Sequence, residues 1–242
     1  MKIKGKFAKT YDRFVKRPSL LPSGLLELIQ STSSKTILEL GCGTGTVAVG
    51  LAMSGFDIIG VDYSPEMLKA ARKKATENKT KVRFIQADIT EASLKLNKKF
   101  DIILCLGNTL ALIANHTMLN SFLANCQRHL NSGGYVIFQQ LNYDRILKEK
   151  PATFAIDVDR DIFRFKQNRY FKNHIQSVVT IVDSSVIPPA QDITMFRVKP
   201  WTKVELTNSM KIAGFKKILF YGDYARNTFS LKSKDLIVFA RA

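Results

Sequence analysis

The chain has 242 residues, of which 45% are hydrophobic and 24% are charged. These proportions exclude an intrinsically disordered or low-complexity chain, and the length favours one domain with a modest insertion. Lys and Arg number 37 against 20 Asp and Glu, which gives a net charge of +17. Such a charge favours anionic partners, although basic residues spread along the whole chain also fit a solvated surface.

The cysteines and histidines, three of each, show no CxxC pair and no metal-ligand spacing. The sequence therefore predicts neither a disulfide framework nor a metal site. No apolar run is long enough to cross a bilayer, and the basic N-terminus lacks the apolar segment of a secretory signal. We therefore expect a cytoplasmic protein that does not span a membrane.

Between residues 35 and 140, short apolar runs alternate with amphipathic stretches. Thr44 or Thr46 is available to cap the first helix of this region, and Ser64 before Pro65 is a typical helix start. The alternation predicts a parallel sheet covered by helices on both faces, with a binding crevice at the carboxyl ends of its strands. The predicted strands are 36–40, 57–61, 81–85, 100–104 and 135–138, and the predicted helices are 44–53, 64–78 and 119–130.

The pattern changes after residue 140. Residues 163–170 and 174–182 alternate apolar and polar side chains, which predicts an antiparallel hairpin. A third strand is expected at 192–198. A β-rich insertion at 141–199 would thus interrupt a core formed by 1–140 and 200–242, with 1–30 as an N-terminal helical cap. The insertion is expected to be a lid over the crevice, or else a packing or dimerisation element. The core would resume with a helix at 201–213 and strands at 215–220 and 235–240.

The end of the first predicted strand and the turn after it have the sequence Glu39-Leu-Gly-Cys-Gly-Thr-Gly45. Glycines at such a turn let the backbone approach a ligand closely, and the next helix offers free N–H groups to an anionic group. The spacing departs from both the dinucleotide fingerprint and the P-loop. Asp62 and Asp88 follow the next two strands, where carboxylates can accept hydrogen bonds from ribose hydroxyls and a base amine. Each acid alone could be a helix cap, but their order favours a nucleoside site.

These features resemble the class I S-adenosylmethionine-dependent methyltransferases over about residues 36–138, where the E-x-G-x-G-x-G form is typical. The resemblance implies a Rossmann-like, mostly parallel seven-stranded sheet with an antiparallel terminal hairpin, and S-adenosyl-L-methionine as the cofactor. Asp62 would bind the ribose, Asp88 and the Ile89 backbone the adenine amine, and Glu39 would orient the glycine-rich loop. The full set of implied cofactor contacts is Tyr11, Glu39, Gly41, Cys42, Gly43, Asp62, Tyr63, Met67, Asp88, Ile89 and Leu106.

The stretch after the fourth strand, Leu-Gly-Asn-Thr at 106–109, differs from the motifs of enzymes that methylate nucleic-acid bases. Together with Asn142, Tyr143 and Asp144, it resembles the glycine and sarcosine N-methyltransferase branch. This resemblance implies a small-molecule acceptor methylated on an amine nitrogen. Asn108 is then a candidate to accept a hydrogen bond from the attacking group, and Tyr143 a candidate to shape the acceptor pocket.

Two alternatives stay open at this point. The net charge alone favours an RNA methyltransferase, and a cofactor-binding partner protein without turnover is also compatible with the motifs. Four arginines in or beside the insertion could bind a carboxylate or phosphate of the acceptor, or could lie on exposed strand faces. They are Arg145, Arg160, Arg164 and Arg169.

Overall fold

The computed structural model describes residue 12 and residues 20–91 and 96–242. The helices are α1 (Leu25–Gln30), α2 (Thr46–Met53), α3 (Pro65–Glu77), α4 (His116–His129), α5 (Tyr143–Glu149) and α6 (Lys203–Ile212), with a 3-10 turn at Thr109–Leu112. The strands are β1 (Thr36–Leu40), β2 (Asp57–Asp62), β3 (Arg83–Gln86), β4 (Phe100–Cys105), β5 (Leu130–Leu141), β6 (Thr153–Asp159), β7 (Ile162–Tyr170), β8 (Ile175–Asp183), β9 (Ala190–Val198), β10 (Lys216–Tyr221) and β11 (Asp235–Arg241).

Seven strands form the central sheet in the order β10-β11-β5-β4-β1-β2-β3. The pairs among β1 to β5 are parallel, whereas β11 is antiparallel to both β5 and β10. This confirms the predicted fold class, a mostly parallel seven-stranded sheet that closes with an antiparallel hairpin. Because β1, β2 and β3 are parallel neighbours, their carboxyl ends meet at one edge of the sheet.

Helices cover both faces of this sheet, as the apolar strands require. Ile102 and Ile103 are consecutive in β4 and point to opposite faces, so they belong to two different buried clusters. Ile103 packs in the cluster that contains Phe122 of α4, while Ile102 packs in the cluster that contains Leu28 of α1 and Leu68 of α3. The core therefore lies in two layers, one on each face of the sheet. Packing in both layers fixes the positions of the strand ends.

Two predicted boundaries are wrong for a physical reason. α2 begins at Thr46, not at residue 44, and its N-cap is Gly45 in the left-handed conformation without a side-chain cap. β5 begins at Leu130, not at residue 135, so Gly133 and Gly134, which follow the helix predicted at 119–130, lie inside a strand. A Cβ at Gly134 would lie 3.0 Å from the Asp101 carbonyl oxygen. Gly134 therefore permits close strand approach.

The insertion forms a second sheet of four antiparallel strands in the order β6-β7-β8-β9. The predicted hairpin and third strand correspond to β7, β8 and β9, whereas β6 was not predicted. Helix α5 was also missed. Its N-cap is Asn142, whose side-chain oxygen accepts the backbone N–H of Arg145 at 3.1 Å.

One face of this second sheet, here called the inner face, packs on the core. Phe196 of β9 is partly buried against both of the clusters that the inner face forms. The two clusters are made by Ile162, Val179 and Ile181 with Met67, and by Ile175 and Val198 with Tyr143, Ile146 and Ala111. The second sheet therefore reaches from the start of α3 to α5, across the carboxyl ends of the central strands.

Candidate cofactor and acceptor site

The glycine-rich loop after β1 is held tightly against its neighbours. Gly41 has φ 75°, and a Cβ at this position would lie 2.4 Å from a side-chain carbon of Thr109. The N–H groups of Gly41 and Cys42 both donate to the Val61 carbonyl, at 2.8 and 3.0 Å. A Cβ at Gly43, in contrast, would meet no atom within 4 Å. The loop is therefore packed on one side and open at Gly43.

Asp62 at the end of β2 is bound to this loop. One carboxylate oxygen accepts the N–H of Gly43 at 2.8 Å, and the other accepts the N–H of Ser64 at 2.9 Å. Burial raises the pKa of Asp62, opposed by the backbone N–H groups of Ser64 and Gly43. The two oxygens of a carboxylate have four lone pairs together, so Asp62 keeps acceptor capacity for a further donor. The capping function belongs to Ser64, whose hydroxyl accepts the N–H of Met67.

A charged network at the start of α2 was not predicted. Asp12 accepts the Thr44 hydroxyl at 2.6 Å and pairs with the Lys74 ammonium at 2.7 Å. Lys74 also donates to Thr46. The two threonines that were expected to cap α2 therefore bind Asp12 and Lys74. Asp12 directly follows Tyr11, which the resemblance implies as a cofactor contact, but Asp12 itself was not predicted.

A cavity of about 60 Å³ lies over the glycine-rich loop. Among the residues predicted to contact a cofactor, those that line it are Glu39, Gly41, Cys42, Gly43 and Leu106. It is also lined by Asp12, Thr44, Thr46, Val47, Gly107 and Thr109, which were not predicted. Glu39 is buried with 3% exposure and lines this cavity.

Asn108 and Tyr143, the predicted acceptor-side pair, lie together beside this cavity. The Tyr143 hydroxyl is 2.9 Å from the amide nitrogen of Asn108 and 3.1 Å from its amide oxygen. That oxygen also accepts the N–H of Leu141 at 3.0 Å. Burial raises the pKa of Tyr143 well above its usual value. The pair thus joins the loop after β4 to α5 through a neutral hydroxyl.

Gln139 and Asp235 form a chain of hydrogen bonds to the backbone of Asn108, and neither residue was predicted. The side-chain oxygen of Gln139 accepts the N–H of Asn108 at 3.2 Å, and its amide nitrogen donates to Asp235 at 2.9 Å. Burial raises the pKa of Asp235, while Gln139, Lys234 and Arg145 lower it. Gln139 and Asp235 are 96 positions apart, so no local sequence pattern could have indicated this contact.

Comparisons with known proteins show which family this chain resembles. Residues 37–134 match a methyltransferase domain. Glycine/sarcosine N-methyltransferase of Aphanothece halophytica is 25% identical over 227 residues, which cover 90% of this chain and 81% of that protein. Ubiquinone biosynthesis O-methyltransferase of Rickettsia canadensis is 32% identical over 110 residues, 46% of this chain and 44% of that one.

Solved structures share the whole fold. An S-adenosylmethionine-dependent methyltransferase from Clostridium acetobutylicum superposes with a TM-score of 0.84 at 20% identity and covers 98% of this chain and 97% of that one. The sugar N-methyltransferase KedS8 from Streptoalloteichus gives 0.72 at 18% identity, with coverage of 94% and 91%.

This chain is a class I S-adenosylmethionine-dependent methyltransferase.

The residues of this methyltransferase fit its cofactor, S-adenosyl-L-methionine, at the loop and ribose positions. Gly43 leaves open space where a side chain would stand, and Asp62 beside it keeps acceptor capacity for hydroxyl groups. The predicted contacts of Glu39, Gly41 and Cys42 lie in one continuous cavity with Leu106. These residue roles are predictions.

The predicted adenine contacts of the methyltransferase lie outside the cavity over the loop. Tyr63 is 55% exposed, whereas Met67 is 3% exposed beneath the inner face of the second sheet. One carboxylate oxygen of Asp88 accepts the N–H and hydroxyl of Thr90, at 2.8 and 2.7 Å. Ile89 accepts a hydrogen bond from Asn125 through its carbonyl. Tyr11 lies outside the described residues.

The arginines proposed to bind an acidic acceptor are dispersed in the structure. Arg164 pairs with Asp157 on the inner face, and Arg145 lies 3.8 Å from Glu149. Arg160 occupies the turn between β6 and β7, and Arg169 is an exposed residue of β7. The sequence therefore did not identify one anion-binding cluster.

The histidines of the methyltransferase serve the scaffold. His129 contacts the Asn125 carbonyl and the Leu96 N–H, His116 packs edge-on against Trp201, and His174 stacks on Phe171. Across the residues that the structure describes, no group of three or more His, Cys, Asp or Glu side chains could hold a metal ion. None of the helices in that part of the chain is long and apolar enough to span a membrane.

Proposed function

We propose that this methyltransferase transfers the methyl group to an amine nitrogen of a small molecule. The observation that carries the proposal is the Asn108–Tyr143 pair beside the cavity. In the arrangement in which the Tyr143 hydroxyl accepts from the Asn108 amide nitrogen, at 2.9 Å, and does not donate to the Asn108 oxygen 3.1 Å away, one lone pair of that oxygen is open to a further donor. An amine N–H is such a donor, and this hydrogen bond would direct its nitrogen lone pair towards the methyl group.

A nitrogen acceptor also suits the acid–base character of the site. A neutral amine is itself a nucleophile, so alignment at about 3–3.5 Å supplies most of the required catalysis. An oxygen acceptor requires a general base. Burial raises the pKa of Tyr143, which keeps the hydroxyl protonated at neutral pH. No histidine lines the cavity among the described residues. The names of the N-methyltransferase relatives support the same assignment, while the O-methyltransferase relative matches a shorter segment.

The position of the second sheet favours a small molecule as the methyl acceptor. The sheet packs on Met67 at one end and on Tyr143 at the other, so it covers the carboxyl ends of the central strands. We propose that residues 141–199 act as the substrate lid. A site covered in this way suits a molecule that can be enclosed.

We further propose that the acceptor carries a carboxylate, which Lys166 binds. Lys166 lies on the inner face of the second sheet, directly opposite Val179, which packs on Met67. Arg164 on the same face pairs with Asp157. Burial, with the nearby Arg164, lowers the pKa of Lys166 to about 8, so the side chain is charged at neutral pH. A desolvated ammonium group binds a carboxylate strongly.

In this proposal the chain positions the reactants. When bound, S-adenosyl-L-methionine supplies a methyl group activated by its sulfonium. Asp62 holds the ribose end while keeping the Gly43 N–H in place. Asn108 orients the amine, and Gln139 and Asp235 fix the backbone of Asn108. The proton released from the methylated amine passes to solvent.

A labelled-methyl screen tests the acceptor class. The purified chain is incubated with S-adenosylmethionine carrying a labelled methyl group and with separate panels of carboxylate-bearing amines such as glycine and sarcosine, amino sugars, phenols and bulk RNA. We expect transfer to a small amine. Transfer to RNA or phenols, with none to amines, would contradict the proposal.

A further inference from the structure

An ammonium group beside the cavity over the glycine-rich loop has an acceptor for each of its donors. Lys74 of α3 donates to the Asp12 carboxylate at 2.7 Å and to the Thr44 hydroxyl at 3.3 Å. It also donates to the Thr46 hydroxyl, so all three of its N–H bonds are used. Lys74 is not one of the described residues that line the cavity, whereas all three of its partners line it. Lys74 therefore acts on the cavity through these partners.

The partners of Lys74 also bind one another. The hydroxyls of Thr44 and Thr46 both donate to the same oxygen of Asp12, at 2.6 and 3.3 Å. The other oxygen of Asp12 pairs with Lys74. The Asp12 carboxylate is thus bound to the start of α2 through one oxygen and to α3 through the other, and it forms one wall of the cavity.

Burial does not hold this wall in place. The side chain of Asp12 is 42% exposed, whereas Glu39, the other acid that lines the cavity, is 3% exposed. An exposed carboxylate keeps a fixed position only where hydrogen bonds and ion pairs hold it. The Lys74 side chain, 16% exposed, is less accessible to solvent than its partner and supplies the charged contact.

We propose that Lys74 is a positioning residue for S-adenosyl-L-methionine: its ion pair with Asp12 keeps this wall of the cavity in place and slows release of the cofactor. The inference rests on the cofactor site over the glycine-rich loop and does not depend on the acceptor. A site that is formed in a fraction of the molecules binds with an affinity reduced by that fraction. A wall that is formed in about a tenth of the molecules would raise the dissociation constant about tenfold, mainly through faster dissociation.

A purely electrostatic role of Lys74 predicts a different result. S-adenosylmethionine carries a sulfonium cation, so removal of a nearby ammonium group would strengthen its binding if the charge of Lys74 acted alone. S-adenosylhomocysteine has no sulfonium and no net charge at neutral pH, so its affinity would hardly change. A positioning role instead weakens the binding of both ligands by the same factor. The two ligands together therefore distinguish the two roles.

Calorimetry and stopped-flow measurements of the full chain with each ligand test this proposal. Lys74→Met keeps an unbranched side chain but removes its three donors. We expect the dissociation constants of both ligands to rise about tenfold, with faster dissociation of both. The matched control is Lys73→Met, the next residue of α3, whose exposed ammonium lies 3.6 Å from Glu77. It makes the same change in net charge and should leave both constants unchanged.

A double-mutant cycle tests whether Lys74 acts through Asp12. Asp12→Asn should weaken binding as well, and Asp12→Asn/Lys74→Met should bind within about twofold of Asp12→Asn alone. General structural damage by Lys74→Met would instead add its full effect to that of Asp12→Asn. Salt gives a second readout, because it screens the ion pair. The affinity of the wild type for S-adenosylhomocysteine should fall at least about twofold between about 0.05 and about 1 M NaCl, and that of Lys74→Met should not.

Three results would overturn the proposal while leaving the cofactor site intact. They are an unchanged affinity in Lys74→Met, a tighter binding of S-adenosylmethionine in that variant, and additive effects of Asp12→Asn and Lys74→Met. A salt dependence that Lys74→Met retains would overturn it too. A wild-type chain that binds neither ligand would overturn the cofactor site itself, and this inference with it.

Discussion

The carboxylate of Asp62 accepts the N–H of Gly43 at 2.8 Å, so the end of β2 fixes the position of the glycine-rich loop that follows β1. Its other oxygen accepts the N–H of Ser64 immediately before α3. One acid thus joins two strand ends and a helix start at the edge where we propose that the cofactor binds. Asp62 therefore constrains the position of the glycine-rich loop.

Replacement of Asp62 should weaken cofactor binding more than it weakens the fold. Asp62→Asn keeps an oxygen for one N–H but loses the charge, and we expect affinity for S-adenosylhomocysteine to fall about 10–100-fold, since hydrogen bonds to charged groups contribute ~1.5–3 kcal/mol. Calorimetry measures this change. The matched control is Asp57→Asn at the start of β2, where the exposed carboxylate pairs with Lys98, and it should bind as the wild type does. Equal affinities for the two variants would contradict the role of Asp62.

Gly41→Ala should destabilise the protein more than Gly55→Ala. Both residues have positive φ, 75° and 89°, so both substitutions incur backbone strain of about 1 kcal/mol. A Cβ at Gly41 would also lie 2.4 Å from Thr109, whereas one at Gly55 would meet nothing within 4 Å. Because of this overpacking, we expect Gly41→Ala to lower the free energy of unfolding by a further ~1–3 kcal/mol, measured by urea unfolding. Similar losses for the two variants would show that the contact with Thr109 does not constrain the loop.

The Asn108–Tyr143 pair should affect catalysis without affecting cofactor affinity. Tyr143→Phe removes the hydroxyl that positions the Asn108 amide, so kcat should fall about 10–100-fold, as for other lost positioning contacts. The affinity for S-adenosylhomocysteine should stay within about twofold, because Tyr143 does not line the cavity. Tyr170→Phe is the control, since the Tyr170 hydroxyl donates to the Pro151 carbonyl within the insertion. An unchanged kcat in Tyr143→Phe would exclude Tyr143 from the acceptor site.

Lys166 should make acceptor binding depend on pH. Its pKa of about 8 means that the side chain loses its charge as the pH rises through that value. We therefore expect the KM for a carboxylate-bearing acceptor to rise between about pH 7 and pH 9, and Lys166→Gln to remove this dependence. Lys216→Gln, an exposed residue of β10, should keep it. A pH profile that is the same in Lys166→Gln and wild type would contradict the assignment.

Asp101 should contribute stability that is lost in acid. Its carboxylate accepts the N–H groups of Lys35 and Thr36 and the amide of Asn131, which lower its pKa from 3.8 to about 2 although burial opposes them. Because the folded-state pKa is lowered, the contribution is present above pH 3.8 and disappears as the pH falls towards 2. The difference in free energy of unfolding between the wild type and Asp101→Asn should therefore become smaller as the pH falls from 3.8 to about 2. Urea unfolding at a series of pH values measures this difference. A constant difference would contradict the lowered pKa.

The central sheet and the glycine-rich loop could be predicted from sequence because their signals are local. Apolar runs such as 36–40 and the E-x-G-x-G-x-G spacing depend on neighbouring residues, and Asp62 and Asp88 follow strands at recognisable positions. Strand β6 was missed because its seven residues follow a charged segment and become a strand only by pairing with β7.

The residues that complete the site could not be predicted, because distant segments bring them together. Lys74 reaches Asp12 across 62 positions, and Gln139 reaches Asp235 across 96. The family resemblance implied that Met67 contacts the cofactor, yet it is the second sheet that buries Met67. That packing depends on how the insertion folds back over α3, which no local pattern of residues 141–199 indicates.

A crystal structure of the chain with S-adenosylhomocysteine tests the central claim most directly. The account predicts both ribose hydroxyls within about 3 Å of the Asp62 carboxylate, with the Gly43 N–H still bound to that side chain. A nucleoside bound elsewhere, or an Asp62 carboxylate turned away from the ribose, would contradict it.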